Sequence, residues 1–178
     1  TQMWVAIRYK TGDVSTTAWS TPDPRLFWWG VNDSRISLYR LTANTLSIIS
    51  DNGTNYTCDV AMTYSLGDDV LAIGRVTSGG VSVAAKGGAF ATPTARADIP
   101  TIAATSAGLG YKTDTGLGQM QGSIYWCAIG VGTLTDADSA LFNSWGNNDP
   151  LPHMFPRSAQ LTFLARFNGD GTMYRYAA

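Results

Sequence analysis

Apolar and polar positions alternate with a period of two along most of this chain. Met3, Val5 and Ile7 fall on one face of a run from Met3 to Tyr9, and Trp4, Ala6 and Arg8 on the other, which predicts a strand. Leu26 to Val31 is a second strand, heavy with Phe27, Trp28 and Trp29. Arg35 to Tyr39 puts Ile36 and Leu38 on one face. Leu46 to Ile49 ends at Asp51-Asn52-Gly53, a strong hairpin signal. Tyr56, Cys58, Val60 and Met62 alternate with Thr57, Asp59 and Ala61, the cleanest half-buried pattern in the chain. Asp69 to Val76 and Val81 to Lys86 flank Thr77-Ser78-Gly79-Gly80 and predict another hairpin.

Ala89 to Gly118 is rich in Ala, Thr and Gly. It reads as loops with short strands at Thr101 to Ala104 and Leu109 to Lys112. Leu161 to Phe167 and Thr172 to Tyr176 form a last hairpin around Asn168-Gly169-Asp170-Gly171. About ten short strands separated by turns argue for a sandwich and against a βα fold.

The period changes once, between Gly122 and Trp145. Ile124 to Val131 is a nearly unbroken apolar run bounded by glycines, as expected of a strand covered on both faces. After it, Thr135 can cap a helix with Asp136 and Asp138 in the first turn, where the helix dipole favours anions. Leu141 and Trp145 are four residues apart and share a helical face. Gly146 offers a left-handed stop. The expected core of this segment is Ile124, Trp126, Ile129, Leu141 and Trp145, and the helix is expected to be the only one in the chain.

This segment resembles the closing part of laminin-G-like, concanavalin A-like jelly-roll domains. Those domains end with a glycine, a strand, a short loop and a Leu-Ser/Thr-x-x-Glu helical turn. The matching residues are Gly122, the strand from Ser123 to Gly130, and Leu134-Thr135-Asp136-Ala137-Asp138, with Asp138 where the family has Glu. Lys86-Gly87-Gly88 stands where the family often has Asn-Gly. The resemblance spans Trp4 to Trp145. It implies an all-β sandwich of two antiparallel sheets with one short helix, forming one domain over residues 1–178. Residues 1–146 would be the family-like core and 159–178 an added C-terminal hairpin. The chain begins at Thr1 and not at Met, which implies either a processed N-terminus or a missing part, and such domains usually have a further strand ahead of Trp4.

Composition narrows the chemistry. A chain of 178 residues suits one domain. The net charge of −1 gives no electrostatic footprint for nucleic acid or an anionic membrane. No run of 18 apolar residues could span a membrane, and no signal peptide is visible. All 13 acidic residues are Asp. Asp favours caps and turns where Glu favours helices, in keeping with an all-β chain. Glycosidases that resemble this fold use a Glu-x-Asp-x-x-Glu strand motif, which a chain without Glu cannot supply. Asp68 with Asp69 and Asp136 with Asp138 remain as carboxylate pairs, at a turn and a helix start. The single histidine, His153, lies in a proline-rich loop with no nucleophile motif nearby. Cys58 and Cys127 both sit in apolar strands and read as buried free thiols.

Some relatives bind calcium through Asp and carbonyl oxygens. The candidates here are Asp33, Asp51 and Asp170, each beside Asn or Gly, and all three read equally well as turn formers. No other cofactor is expected. Trp19 and Tyr111 fall in predicted loops, where a ring face could stack on a sugar. Asn32, Asn52 and Asn55 each begin an Asn-x-Ser/Thr acceptor, a pattern common by chance in a Ser- and Thr-rich chain.

The residues therefore point to a structural or binding module and away from an enzyme. Stand-alone domains similar to this one occur among bacteriophage virion proteins, as head decoration, fibre or tail-associated parts. The resemblance thus implies a virion surface location, with other virion subunits, further copies of the chain and cell-surface glycan as partners. The alternatives are a secreted or cell-surface carbohydrate-binding module, and a divergent glycan hydrolase or lyase.

Overall fold

The computed structural model describes residues 2–12, 25–31, 34–42, 44–63, 65–96, 107–110, 120, 122–148, 150–157, 159–167 and 173–177. Among them are eleven strands: β1 (Met3–Thr11), β2 (Arg25–Val31), β3 (Ser34–Thr42), β4 (Thr45–Asp51), β5 (Asn55–Ala61), β6 (Asp69–Thr77), β7 (Gly80–Ala85), β8 (Ala107–Leu109), β9 (Gly122–Gly132), β10 (Ala159–Phe167) and β11 (Met173–Ala177). One α-helix, α1 (Asp136–Ser144), and a 3₁₀ turn, Pro152–Met154, complete the described elements. The strands form two antiparallel sheets. One has six strands in the order β11-β10-β9-β1-β6-β7, the other five in the order β5-β4-β3-β2-β8. The expected all-β sandwich with one short helix is what the described residues form.

Alternation along β1 explains the layering. Met3, Val5, Ile7 and Tyr9 join Ile36, Leu38, Leu46, Ile48 and Cys58 of the five-stranded sheet in the core between the sheets. Trp4 and Ala6 point the other way and meet Trp126, Ala128, Leu134, Phe142, Trp145 and Phe155 in a second core. The six-stranded sheet is thus covered on both faces, as the unbroken apolar run in β9 required. Gly130 is the exception to bulk in that run. A Cβ there would lie 2.3 Å from the Trp4 ring and 2.4 Å from the Gln160 carbonyl oxygen, so only glycine lets the indole lie across the strand.

Helix α1 starts at Thr135, as expected. The Asp138 amide donates to Thr135 Oγ1 at 3.3 Å, and the Thr135 amide donates to Asp138 Oδ2 at 2.7 Å. This is a capping box with Asp in the place of the usual Glu. Gly146 adopts φ +59°, the left-handed stop.

Two expectations about this helix and strand are corrected. Leu141 is 42% exposed, while Phe142 beside it is fully buried. The helix turns the face Ser139–Phe142–Trp145 inward, a spacing of three, and leaves Leu141 about 100° to one side. The larger ring wins the buried face because it stacks on Trp145 at 4.8 Å and meets the Phe155 edge at 5.3 Å. Ile124 and Ile129 are half-buried instead of largely buried, because they flank the inter-sheet core instead of filling it.

In the stretch from Ala89 to Gly118, β8 covers Ala107–Leu109 and meets the expected strand from Leu109 to Lys112 at Leu109, Tyr111 lying outside the described residues. Lys112 and the strand expected at Thr101 to Ala104 lie outside the described residues. The C-terminal hairpin is built into the six-stranded sheet. β10 pairs with β9 from Ala159 opposite Gly132 to Arg166 opposite Trp126, and buries Leu164 and Ala165.

Candidate functional site

Four of the residues singled out in the sequence, Trp19, Tyr111, Asp33 and Asp170, lie outside the described residues. Asp51 is buried at the end of β4. Its Oδ1 accepts the Gly53 amide at 3.0 Å, and its Oδ2 pairs with the Arg35 guanidinium at 3.4 Å. One oxygen holds the turn between β4 and β5, and the other ties β4 to β3. Among the described residues, no group of three or more His, Cys, Asp or Glu side chains is placed to hold a metal ion.

The carboxylate pairs are likewise occupied. Asp68 accepts the Ser65 amide at 2.9 Å and lies 3.8 Å from Lys86 Nζ. Asp136 accepts the Phe90 amide at 2.9 Å, and Asp138 closes the helix cap. Cys58 and Cys127 are buried free thiols in opposite sheets. Burial pushes the Cys127 thiol up, which removes thiolate character.

Sequence reasoning missed three polar assemblies. The first lies on the outer face of the five-stranded sheet. Phe27 and Trp29 face the core, so Trp28 between them faces away. Arg25 lies over the Tyr39 ring at 4.1 Å and the Trp28 ring at 5.3 Å, and Arg35 lies over Trp28 at 5.1 Å. Trp28 Nε1 donates to the Gly30 carbonyl at 2.8 Å, and Ser47 Oγ donates to Asp59 at 2.6 Å on the same face. The pattern was readable only through the β2–β3 register, which sets Trp28 opposite Ser37. Trp28, Ser37 and Ser47 are fully buried, and Arg25 and Tyr39 nearly so. Guanidinium groups sandwiched at that depth serve packing.

The second assembly joins β1, β6, β9 and the end of α1. Arg8 donates from Nε to Asn147 Oδ1 at 3.2 Å and from a terminal nitrogen to Asn143 Oδ1 at 3.0 Å. Asn147 passes a hydrogen bond on to Asp69 at 2.6 Å, and Tyr125 also bonds Asp69. Burial, then the hydrogen bond to Asp69, push the Tyr125 phenol up. Every member has a protein partner, so the network fastens the helix to the sheet.

The third is open to a ligand. A pocket of about 310 Å³ lies beside the 3₁₀ turn, lined by Pro152, His153, Phe155, Pro156, Arg157, Gln160, Leu161 and Tyr176. Prolines at 152 and 156 fix φ on either side of the turn and hold its shape. Phe155 is buried, stacked on Trp4 at 6.0 Å and edge-on to Trp145 at 5.1 Å. The second aromatic core therefore backs one wall. Leu161 and Gln160 come from β10, and Tyr176 from β11, where it stands opposite Leu164. His153, Arg157 and Gln160 are exposed and Tyr176 is half-buried. Among the described residues, none of these four side chains has a hydrogen-bond or ion-pair partner. None of the lining residues is acidic. A cavity with ring walls and unengaged donors can take a polar ring-shaped ligand. The available signals were the lone histidine and the aromatics of the last hairpin, but nothing in the spacing showed that they meet.

No protein-family model matches the sequence, and no curated protein matches it. Solved structures do. The CBM40 of the Ruminococcus gnavus IT-sialidase, bound to α2,3-sialyllactose, superposes with a TM-score of 0.64 at 16% identity, over 80% of this chain and 82% of that one. The native heptameric SAP-like pentraxin from Limulus polyphemus gives 0.62 at 13% identity, over 99% and 80%. The leech intramolecular trans-sialidase complexed with 2,7-anhydro-Neu5Ac gives 0.60 at 16% identity, over 79% of this chain and 23% of that one. The likeness is one of fold. The chain is a concanavalin A-like jelly roll.

Proposed function

We propose that this chain is a non-catalytic glycan-binding module, and that the pocket between the 3₁₀ turn and the last hairpin is its contact site. The observation that carries the reading is the composition of that pocket. Tyr176 offers ring surface to the apolar face of a sugar, with buried Phe155 backing the wall, and His153, Arg157 and Gln160 offer hydrogen bonds to its substituents. Further support comes from a structural neighbour, the R. gnavus CBM40, which holds α2,3-sialyllactose. Hydrolysis of a glycosidic bond calls for two carboxylates across the scissile bond, and no lining residue supplies one.

The wider setting belongs to the same proposal. On a virion surface or outside a cell, such a module would attach its bearer to glycan-coated surfaces. Further copies of the chain are natural partners, since β11 forms the edge of the six-stranded sheet and exposes Met173 and Tyr174. Co-purification with assembled particles tests the virion location.

Binding of the purified chain to an immobilised glycan panel tests the function. Capture of at least one glycan is expected, with Tyr176→Ala abolishing it and leaving the melting temperature within a few degrees. A panel with no captured glycan, or one whose capture ignores Tyr176→Ala, overturns the reading. So does saturable release of reducing sugar.

A further inference from the structure

The pocket described above has an uneven balance of donors and acceptors. Arg157 brings five N–H donors and no acceptor. His153 and Gln160 add donors of their own, and no Asp stands among the lining residues. Each hydroxyl of a neutral sugar is donor and acceptor at once. Among the lining side chains a neutral ring would find few acceptors, chiefly the Gln160 carbonyl and the Tyr176 oxygen, and would leave Arg157 facing no charge.

Resting on the glycan-binding reading, we propose that the pocket selects a carboxylated sugar, with Arg157 as the carboxylate-binding residue. A carboxylate is acceptor-only and planar, and it matches the guanidinium fork with two parallel hydrogen bonds. With no acidic side chain in the lining, nothing repels it. Gln160 is then free to serve ring hydroxyls, and Tyr176 the ring face, in front of a wall backed by Phe155. Phe155 is fixed by its stack on Trp4, so the apolar wall is set before the ligand arrives. The volume of about 310 Å³ is small for a ligand site and suits a single terminal ring better than a chain. Arg157 is exposed and has no protein partner among the described residues, so its charge is not spent on the fold.

The test uses two probes that share one ring and differ only at C6, methyl β-D-glucuronide and methyl β-D-glucoside. Each is titrated into the full chain by calorimetry or by ligand-observed NMR. The glucuronide is expected to bind about tenfold or more tightly than the glucoside. Arg157→Gln should collapse that preference to near unity and leave the melting temperature unchanged. Arg157→Lys, which keeps the charge and loses the fork, should restore only part of it.

Equal affinity for the two probes, lost together in Tyr176→Ala, overturns the carboxylate assignment and leaves the glycan-binding reading standing. A preference for the glucuronide that persists in Arg157→Gln overturns the role of Arg157. Binding of neither probe, on a protein that still captures panel glycans through Tyr176, also overturns the assignment. Failure with both probes and with the whole panel overturns the assignment and the reading together.

Discussion

Asn147 Nδ2 donates to Asp69 Oδ2 at 2.6 Å, across 78 residues of sequence. The same Asn147 accepts from Arg8 Nε, so one carboxamide bridges a guanidinium on β1 and a carboxylate on β6. Burial alone would push the Asp69 carboxyl up. The hydrogen bonds from Asn147 and Tyr125 and the charges of Arg8 and Lys10 outweigh that, and hold it below its ordinary value.

A pH dependence follows from that direction. A carboxyl whose pKa is depressed by folding stabilises the native state above its unfolded value of about 3.9. That contribution is lost as pH falls through the lower native value. Denaturant midpoints at pH 6 and pH 3 should therefore show that Asp69→Asn costs more stability at pH 6 than at pH 3. Because Asp69 is largely exposed, the effect should be small and should shrink in salt. An equal penalty at both pH values would mean that the carboxyl contributes shape and not charge.

Phe142 and Leu141 are neighbours in sequence and opposites in burial. Phe142→Ala empties the centre of a cluster that includes Trp4, Trp145 and Phe155. It should cost roughly 3–5 kcal/mol. Leu141→Ala on the exposed side should change stability by about 0.5 kcal/mol or less. Urea denaturation of the two variants compares them directly, and similar losses would refute the assigned helix orientation.

Arg25 stacked on Tyr39 and Trp28 is a buried cation held by two rings. Arg25→Lys keeps the charge and forfeits the planar stack, so it should destabilise by roughly 1–2 kcal/mol. Tyr39→Leu keeps the cation, removes one of its two rings and should destabilise as well. Thermal melts of the two variants separate stacking from charge. A Lys variant as stable as the parent would show that the rings contribute packing alone.

How much of this was legible in the sequence follows from the range of each interaction. Strands were legible because alternation is local, and the β4–β5 hairpin because Asp51-Asn52-Gly53 encodes its own turn. The cap at Thr135 was legible for the same reason. The choice of Phe142 over Leu141 was not, because a nine-residue helix carries apolar residues on two adjacent faces. Only the distant Trp4 and Phe155 decide between those faces. The Arg25 stack needed the β2–β3 register. The pocket needed more still: the pairing of β10 with β11 was legible from the Asn168-Gly169-Asp170-Gly171 turn, but no local pattern places the 3₁₀ turn and residues 155–157 beside Tyr176. The rings that meet this cavity, Phe155 and Tyr176, come from the residue just after the 3₁₀ turn and from a strand, and neither position marks itself in the sequence as a cavity wall.

The two strands of the C-terminal hairpin should behave differently when removed. β10 lies between β9 and β11 and buries Leu164 and Ala165. Removing residues 158–178 strips β9 of one hydrogen-bonding neighbour along most of its length and opens the second core. That truncation should abolish soluble, cooperatively folding protein. Removing residues 172–178 takes away only the edge strand, whose described side chains are exposed apart from the half-buried Tyr176. This shorter deletion should leave a protein that still melts cooperatively, at a lower temperature, and that binds no glycan because Tyr176 is gone. If β11 also joins copies of the chain, light scattering should show a smaller assembly for the shorter deletion than for the parent. A fully folded product of the longer deletion would mean that β1, β6, β7 and β9 suffice as a sheet. The hairpin would then serve the pocket alone.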